Sequence, residues 1–483
     1  MYIGIDLGTS GVKAVLLDEN NAVLASHTEK LTVSRPYPLW SEQDPQAWWQ
    51  ATDRVMLALA AQRSLKAVRA VGLTGQMHGA VLMGRQHEVL RPAILWNDGR
   101  SARACQQLEA SVPDARKITG NLMMPGFTAP KLLWVKEHEP AIFNQIAHVL
   151  LPKDYLRWRM TGDFASDMSD AAGTMWLDVG KRAWSDKLLA ACGLTRDQMP
   201  TLFEGNEVTG QITAELSQRW SLPSELPVVA GGGDNAAGAI GAGIWQPGQA
   251  MLSLGTSGVC FAVSERFLSN PDQAVHSFCH ALPDTWHLMS VMLSAASCLD
   301  WAARLTGQPS VAALLALAEK AKPGDKSPCF LPYLSGERTP HNNPDATGVF
   351  WGFTHQHGPE DLAMAVLEGV SLGLAEGMAA LQATGVRPAA VTLIGGGARS
   401  AFWRQLLADI SGVTMEYRTG GDVGPALGAA RLARMSCHPG VSPAELLPVL
   451  PLESRYTPRA DRHDFYRQRQ RLFSALYQQT ASL

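Results

Sequence analysis

The sequence predicts an α/β protein of two related lobes, and three observations carry the prediction. The pentapeptide LGTSG stands at Leu7–Gly11 and again at Leu254–Gly258, each time between β-branched and apolar runs: YIGID and VKAVLLD around the first copy, QAMLSL and VCFAV around the second. Strand-like and helix-like segments then alternate, the rhythm of a largely parallel sheet. Each half also holds a helix-like stretch of alanine and glycine, GGGDNAAGAIGAG at 231–243 and GPALGAARLA at 424–433. At 483 residues the chain exceeds one ordinary core and fits two large halves.

From Tyr2 to Ser26, apolar runs are separated by LGTSG and by the DENN of Asp18–Asn21, which predicts a three-stranded antiparallel meander. A helix follows at Pro45–Gln62, with Asp44 as its cap and Trp48, Val55 and Leu59 on its apolar face. The strand VRAVGLT then runs into the loop GQMHGA. Residues from Arg100 to about Gln218 read as a helix-rich insertion. LPVVAGGGDNAAGAIGAG gives a buried strand, a glycine turn and a helix whose small residues permit close packing. The boundary falls between Gly243 and Gly248, which sets domains at 1–244 and 245–483. The second half continues with the repeated hairpin, a helix at Ala295–Leu305, the loop LSGERTPHNNPDATG and a long helix at Pro359–Ala383. VTLIGGGARSAFWRQLLADI adds a strand, a glycine turn and a helix. Each half is thereby assigned one hairpin and one small-residue helix. In the arginine-rich tail, Phe465, Leu472, Phe473 and Leu476 share one helical face, which predicts a docked amphipathic helix with a solvated basic side.

Charge narrows the partners. The 41 Lys plus Arg nearly balance 44 Asp plus Glu, for a net charge of −3, which argues against broad binding to nucleic acid or anionic membrane. Seven scattered cysteines without a CxxC pair fit reduced thiols in the cytoplasm. The opening YIGID has no signal-peptide pattern, and no stretch approaches ~20 uninterrupted apolar residues. A small-molecule ligand is the expectation.

The two turns can hold phosphate. Gly8, Thr9 and Ser10 in the first, and Gly255 and Thr256 in the second, offer backbone N–H groups and hydroxyls. GxxxxGK[ST] is missing and each turn joins two strands, so neither is a Walker A loop. One copy alone would be a plain hairpin; two in matching contexts favour a phosphate cradle. Asp6 precedes the first turn and can hold a hydrated Mg2+ bridging phosphates, whereas Ser253 at the matching place cannot. Lys13 can add a point charge, or simply be a surface strand lysine. In IGGGARS, three glycines that are not GxGxxG disfavour a dinucleotide fold but let an adenine lie on backbone, with Ser400 capping the next helix. Asp234 is either a helix cap or a carboxylate positioned to take the proton of a hydroxyl during phosphoryl transfer, with Asn235 bonding neighbouring hydroxyls. In GQMHGA, His78 can bond sugar oxygens and Met77 supplies an adaptable apolar contact. Trp96 can cover a sugar face or serve as a core aromatic.

In this order the segments resemble the FGGY carbohydrate kinases of the actin-like ATPase superfamily over nearly the whole chain. GIDLGTS and LSLGTSG are similar to the family's phosphate motifs, LIGGGARS to its adenosine motif, and GGGDNAAGAIGAG and GPALGAARLA to its connecting helices between the lobes. GFTAPKLLWVKEH at 126–138 and GVFWGFTHQHGPEDLAMAVLE at 348–368 are similar to its two longer signatures. The resemblance implies two actin-like (ribonuclease H-like) lobes with an interlobe cleft, ATP as co-substrate, Mg2+, and a homodimer. It implies that Asp6 organises Mg2+, that Asp234 is the general base, and that Gly8, Thr9, Gly255 and Thr256 surround the phosphates. Gly396, Gly397, Ala398 and Arg399 would lie along the nucleoside, and Met77, His78 and Asn235 would contact the sugar. Glycerol-using relatives carry Arg-Glu in place of Met-His, which argues against glycerol. The expected reaction is phosphorylation of D-xylulose at O5; ribulose and gluconate are alternatives, since gluconate-using relatives also carry Met-His. A rival class is an actin-like ATPase governing partner binding. A sugar sensor without catalysis would require loss of Asp6 or Asp234, and both are present.

Overall fold

The computed structural model describes residues 1–420 and 424–481. Among them, two seven-stranded sheets form the centres of the two halves. In the first half, β1 (Tyr2–Leu7), β2 (Gly11–Leu17) and β3 (Val23–Lys30) make the expected antiparallel meander, the third strand extending to Lys30. Helix α1 (Pro45–Gln62) leads to β4 (Ala70–Gly75), which lies parallel to β1. Beyond it come β5 (Val208–Gln211) and β6 (Pro227–Val229), so the sheet order is β5-β6-β4-β1-β2-β3, with Gly232–Gly233 adding a short pairing to β4. Every residue of β4 is buried, as suits a central parallel strand covered on both faces. Edge strand β3 instead carries His27, Glu29 and Lys30, which discourage further strand pairing. Asp44 caps α1 by accepting from the Gln46 amide, and Trp48, Val55 and Leu59 are buried.

The second half repeats this plan. Its strands are β7 (Ala250–Leu254), β8 (Gly258–Ser264), β9 (His276–Cys279), β10 (Trp286–Met292), β11 (Ala390–Ile394), β12 (Thr414–Arg418) and β13 (Leu452–Tyr456). They are ordered β9-β10-β8-β7-β11-β12-β13. A meander, two parallel neighbours and an antiparallel outer strand recur, with β9 as an added edge.

The small-residue helices, each read from its own half of the sequence, lie between the halves, as the resemblance to connecting helices implies. The helix of the second half, α5 (Gly424–Ser436), lies on the first sheet. A Cβ on Gly4 would stand 1.9 Å from the Ala426 carbonyl oxygen, and one on Gly72 2.0 Å from that of Ala429. Glycine on β1 and β4 therefore sets how deep the helix sits. The helix of the first half, α2 (Asp234–Ala242), crosses α5 where a Cβ on Gly428 would be 1.7 Å from the Ala237 oxygen. Arg431 donates to the Ile240 and Gly241 carbonyls at 3.1 and 2.9 Å, closing the C-terminal end of α2. Two backbones thus cross between the lobes with almost no side chain between them.

The insertion holds the halves together on one side. Met77, Phe127 and Trp176 share one apolar core with Phe261, Phe278 and Met289 of the second sheet. Asn121 exchanges hydrogen bonds with the Ser277 backbone at 2.8 and 2.9 Å, fixing β9 to the insertion. Helix α3 (Pro359–Gln382) is long and apolar enough to cross a membrane by length and composition, but 78% of its apolar window is buried inside the protein. It packs beside α4 (Ala401–Ser411) and α6 (Ala460–Thr480). On α6, Phe473 and Leu476 dock as expected, yet the basic side is only partly solvated. Arg469 is buried and donates to Glu368 Oε1 at 2.7 Å and to the Pro328 carbonyl at 2.7 Å.

Candidate active site

Asp234 opens α2, directly after Gly233, which occupies the cap position. Its carboxylate is therefore not used as a cap. Oδ1 accepts from the Asn235 amide at 2.8 Å and from Asn235 Nδ2 at 3.0 Å, leaving Oδ2 for a ligand. Burial pushes its pKa up to about 6 despite those two donors. Asp6, at the end of β1, faces it closely enough for charge repulsion. Burial first, and then the Asp234 charge, raise Asp6 to about 7, against the opposing pull of Lys13. Asp6 Oδ1 is enclosed and has no hydrogen-bond partner. Two repelling carboxylates, one with an orphaned oxygen, form the hard-oxygen donor set that suits a hydrated Mg2+, which needs only one or two protein carboxylates. Among the described residues no group of three or more His, Cys, Asp or Glu could form a fuller metal cage.

Asp6 runs directly into the first LGTSG turn and Ser253, which lines a cavity with Asp234, into the second, and both turns have their carbonyls engaged within the protein. In the first, the Thr9 carbonyl accepts from Gln43 Nε2 at 2.8 Å and the Ser10 carbonyl from the Leu31 amide at 2.9 Å. In the second, the Gly255 and Thr256 carbonyls accept from the Ala296 and Ala295 amides at 3.0 and 2.9 Å. Among the described residues, the amides of Thr9, Ser10, Thr256 and Ser257 donate to no protein acceptor, so both turns can present N–H groups to phosphate oxygens. A cavity of about 380 Å³ lies between α2 and the strands of the second hairpin, lined by Asp234, Asn235, Ser253, Val259, Gly395 and Pro425. At the glycine run it meets a second cavity of about 680 Å³, walled by Leu299, Leu315, Phe402, Gly396, Gly397 and Arg399. Flat glycine backbone and apolar walls suit a planar base. Ser400 caps α4 by accepting from the Trp403 amide at 3.2 Å. Ala398 is fully buried behind the run and does not line the cavity.

Met77 and His78 lie on the first lobe. His78 has φ 70°, a left-handed conformation that turns its ring against Gly173 and Phe127. Its Nδ1 donates to the Gly173 carbonyl at 2.8 Å, which fixes the neutral tautomer. Burial, with nearby Lys131 as a second cause, holds the pKa near 3. Nε2 is then a lone-pair acceptor suited to a hydroxyl. Met77 Sδ is close enough to Gly233 that a Cβ there would stand 2.9 Å away, which links the Met-His loop to Asp234. Trp96 is 42% exposed and donates from Nε1 to Thr9 Oγ1 at 2.9 Å, so it is not a core aromatic but borders the first turn.

Several supports escaped the sequence reading. Lys131, inside GFTAPKLLWVKEH, donates to the His78 and Gly126 carbonyls at 2.9 and 2.7 Å. Lys153 is fully buried and pairs with Asp154, Asp167 and Asp170 at 2.7, 2.7 and 3.1 Å. Asp167 in turn accepts from Ser169, whose hydroxyl accepts the Gly233 amide at 3.0 Å, one residue before Asp234. Charged residues inside the apolar run LPKDYLRWRM were the available signal, since buried charges survive only when paired. Gln43 and Gln76 are bonded to each other at 3.0 Å and brace Thr9 from below, a contact between distant segments that no local pattern marks.

The chain matches known proteins over its whole length. The profile of the FGGY family of carbohydrate kinases matches as an N-terminal domain over residues 1–241 and as a C-terminal domain over residues 250–437. The chain is 67% identical to the xylulose kinase of Escherichia coli K12 over 483 residues, covering 100% of both. It is 65% identical to that of Klebsiella pneumoniae over 477 residues, covering 99% of this chain and 98% of the other. A crystal structure of a “xyloylose kinase” from Brucella ovis superposes with a TM-score of 0.95 at 45% identity, covering 100% of this chain and 99% of that one.

Proposed function

The chain belongs to the FGGY family of carbohydrate kinases, and from that membership and the cleft between its lobes we propose ATP-dependent phosphorylation of D-xylulose at O5, giving D-xylulose 5-phosphate and ADP. The observation that carries the reading is Asp234: a half-fixed carboxylate that lines a cavity shared with Ser253 and Val259 of the second half, lies near the Asp6 charge and follows Gly233, which touches Met77. Asn235 holds Oδ1, and Oδ2 accepts the O5 proton as the new O5–phosphorus bond forms and the bond to ADP breaks. The alcohol becomes acidic late in the transfer, so a carboxylate with a pKa of about 6 suffices as acceptor.

His78 Nε2 takes a second hydroxyl, Met77 packs the carbon chain, and Trp96 borders the sugar from the side of the first turn. The Thr9, Ser10, Thr256 and Ser257 amides hold phosphate oxygens, Gly8 and Gly255 shape the two turns through bonds to the Gly11 and Ser257 carbonyls, and Lys13 adds its charge beside the first. Gly396, Gly397 and Arg399 lie along the nucleoside. Asp6 is the residue that would hold Mg2+, which when bound supplies positive charge against the phosphates. Closure of the cleft excludes water from the transfer. We take the enzyme to act in the cytoplasm as a homodimer; its seven unpaired cysteines suit a reducing compartment.

A coupled ADP-release assay over D-xylulose, D-ribulose, L-ribulose, gluconate and glycerol tests the proposal. D-xylulose should give the highest kcat/KM. A preference for gluconate would overturn the substrate, and ADP release unaffected by any sugar would overturn the reaction.

A further inference from the structure

Arg338 sits in the loop 334–348 of the second half, yet its side chain meets the sugar side of the first. Its Nη1 donates to His276 Nε2 at 3.2 Å. The His276 ring, on β9, meets Phe127 edge-on at 5.5 Å and stacks with Phe278 at 5.6 Å. Both phenylalanines also touch the His78 ring, at 4.8 and 6.2 Å. His78 from one half and the His276–Arg338 pair from the other are therefore joined through one cluster of aromatic rings.

The backbone around Arg338 is pinned. Thr339 exchanges hydrogen bonds with Val291 of β10 at 3.0 and 3.1 Å and donates from its hydroxyl to the Ala274 carbonyl at 2.9 Å. Neighbouring Glu337 turns Oε1 to the Leu293 and Arg338 amides at 3.0 and 2.7 Å. Among the described residues, no carboxylate lies within ion-pairing distance of the Arg338 guanidinium. Among the described residues the guanidinium makes no hydrogen bond beyond the one to His276 and the residue is partly exposed, with the charge of Glu337 nearby but not paired to it, so its remaining N–H groups are open to a ligand. A rigid loop that presents such a group is built to meet an oxygen of a ligand.

We propose that Arg338 is a specificity-determining residue that binds the carbonyl end of the sugar. The chemistry selects that end. Closing a 2-ketopentose into a furanose consumes O5, so transfer to O5 requires the open chain, which exposes a C2 carbonyl. Guanidinium N–H groups only donate, and a ketone oxygen only accepts. Asp234 and His78 Nε2 are acceptors and take hydroxyls; Arg338 supplies the complementary donor. The second lobe thereby reads the group that separates a ketose from the corresponding alditol.

The inference rests on the proposed D-xylulose reaction, and one experiment separates the two. Wild type and Arg338→Met are compared for KM of D-xylulose, KM of ATP, and inhibition by xylitol, the C2-reduced counterpart. Losing a charge-assisted hydrogen bond should raise KM for D-xylulose about 10- to 100-fold. KM for ATP and the xylitol inhibition constant should stay within about threefold, and Arg338→Lys should recover part of the loss. An unchanged KM for D-xylulose, or xylitol inhibition weakened by the same factor, overturns the inference while the reaction stands. Failure of wild type to use D-xylulose overturns the reaction itself. Should Arg338→Met not fold, His276→Phe removes only the acceptor that orients the guanidinium and should raise KM for D-xylulose several-fold with ATP unaffected; no change there would also overturn it.

Discussion

The two LGTSG hairpins have the same five residues and do not make the same turn. In the first, Leu7 pairs with Val12 and Asp6 with Lys13; in the second, Leu254 pairs with Gly258 and Ser253 with Val259. The first loop is thus one residue longer, and because strand side chains alternate, that shift exchanges the faces of everything after it. Val12 is fully buried in the first core, while Val259, identical in the pentapeptide frame, lines the interlobe cavity. Opposite the metal-suited carboxylate stands a lysine in one lobe; opposite the serine stands a valine in the other. The repeated turn, proposed as a phosphate cradle in each lobe, is acidic on one side because Asp6 stands where the other has Ser253, and register then sets Lys13 opposite the one and Val259 opposite the other.

The division places both carboxylates on the first lobe, and removing one is the strongest way to break it. Asp234→Ala should lower kcat for D-xylulose by about 10²- to 10⁴-fold, the usual range for a lost general base, while nucleotide binding stays nearly intact. Steady-state kinetics with calorimetric titration of nucleotide decides it; near-normal turnover would end the base assignment. In the wild type, a base with a pKa of about 6 must be ionised, so kcat/KM should rise with pH through that value and level off above it.

Asp6→Asn should come next, with about 10²-fold lower activity and a greatly raised Mg2+ requirement for every sugar used. Unchanged magnesium dependence would count against its role. The same variant has an opposite effect on folding. The Asp6 carboxyl is raised from 3.8 to about 7, so its stabilising contribution is complete below 3.8 and lost as pH rises through 7. Metal-free Asp6→Asn should therefore melt above wild type at pH 8, with the advantage shrinking as pH falls towards 4 in a thermal scan.

How much of this was legible in the sequence follows from the range of each interaction. Helix α1 could be placed to the residue because Asp44, Pro45 and the apolar face are local signals. Both hairpins, the glycine turn at 395–397 and the serine cap of α4 are local as well. The crossing of α5 onto the first sheet depends on Gly4 and Gly72, more than 350 residues away from it in sequence, so no local pattern near 424–433 gives it and only the resemblance to a connecting helix pointed to it. Arg469 looked like part of a solvated stripe because its partner, Glu368, lies on another helix. At the site, Asp6, Asp234, Met77 and His78 could be picked out by residue type and turn context. Lys153 left only the signal of charges within LPKDYLRWRM, and Ser169 and Arg338 left none, since their meaning comes from partners brought in by the insertion and by β9. The register difference was invisible for a stricter reason: identical pentapeptides cannot encode different pairings, so the flanking strands must.

Making the second hairpin acidic tests whether that asymmetry matters. Ser253→Asp places a carboxylate beside the cavity at the position matching Asp6 and opposite Val259 instead of Lys13. Without a lysine facing it, the new charge should repel phosphate and raise KM for ATP about tenfold, with KM for D-xylulose little changed. Equal or tighter ATP binding in a direct titration would mean that the lobes are interchangeable as metal sides.

Lys13→Met is the mildest substitution and isolates the feature that distinguishes the first hairpin from the second. Lys13 lies across the ladder from Asp6 and its charge lowers the Asp6 pKa, opposing burial and the Asp234 charge. Without it, Asp6 stays protonated to higher pH, so at pH 7 less carboxylate is ready for the cation. The expected result is an apparent Mg2+ requirement raised about threefold at pH 7 and restored towards wild type by pH 8.5, where Asp6 ionises without help. If Lys13 instead acts mainly on phosphate, KM for ATP rises equally at both pH values. Measuring activity against Mg2+ at the two pH values therefore separates tuning of Asp6 from direct contact with phosphate, and a variant identical to wild type at both would make Lys13 an ordinary strand residue.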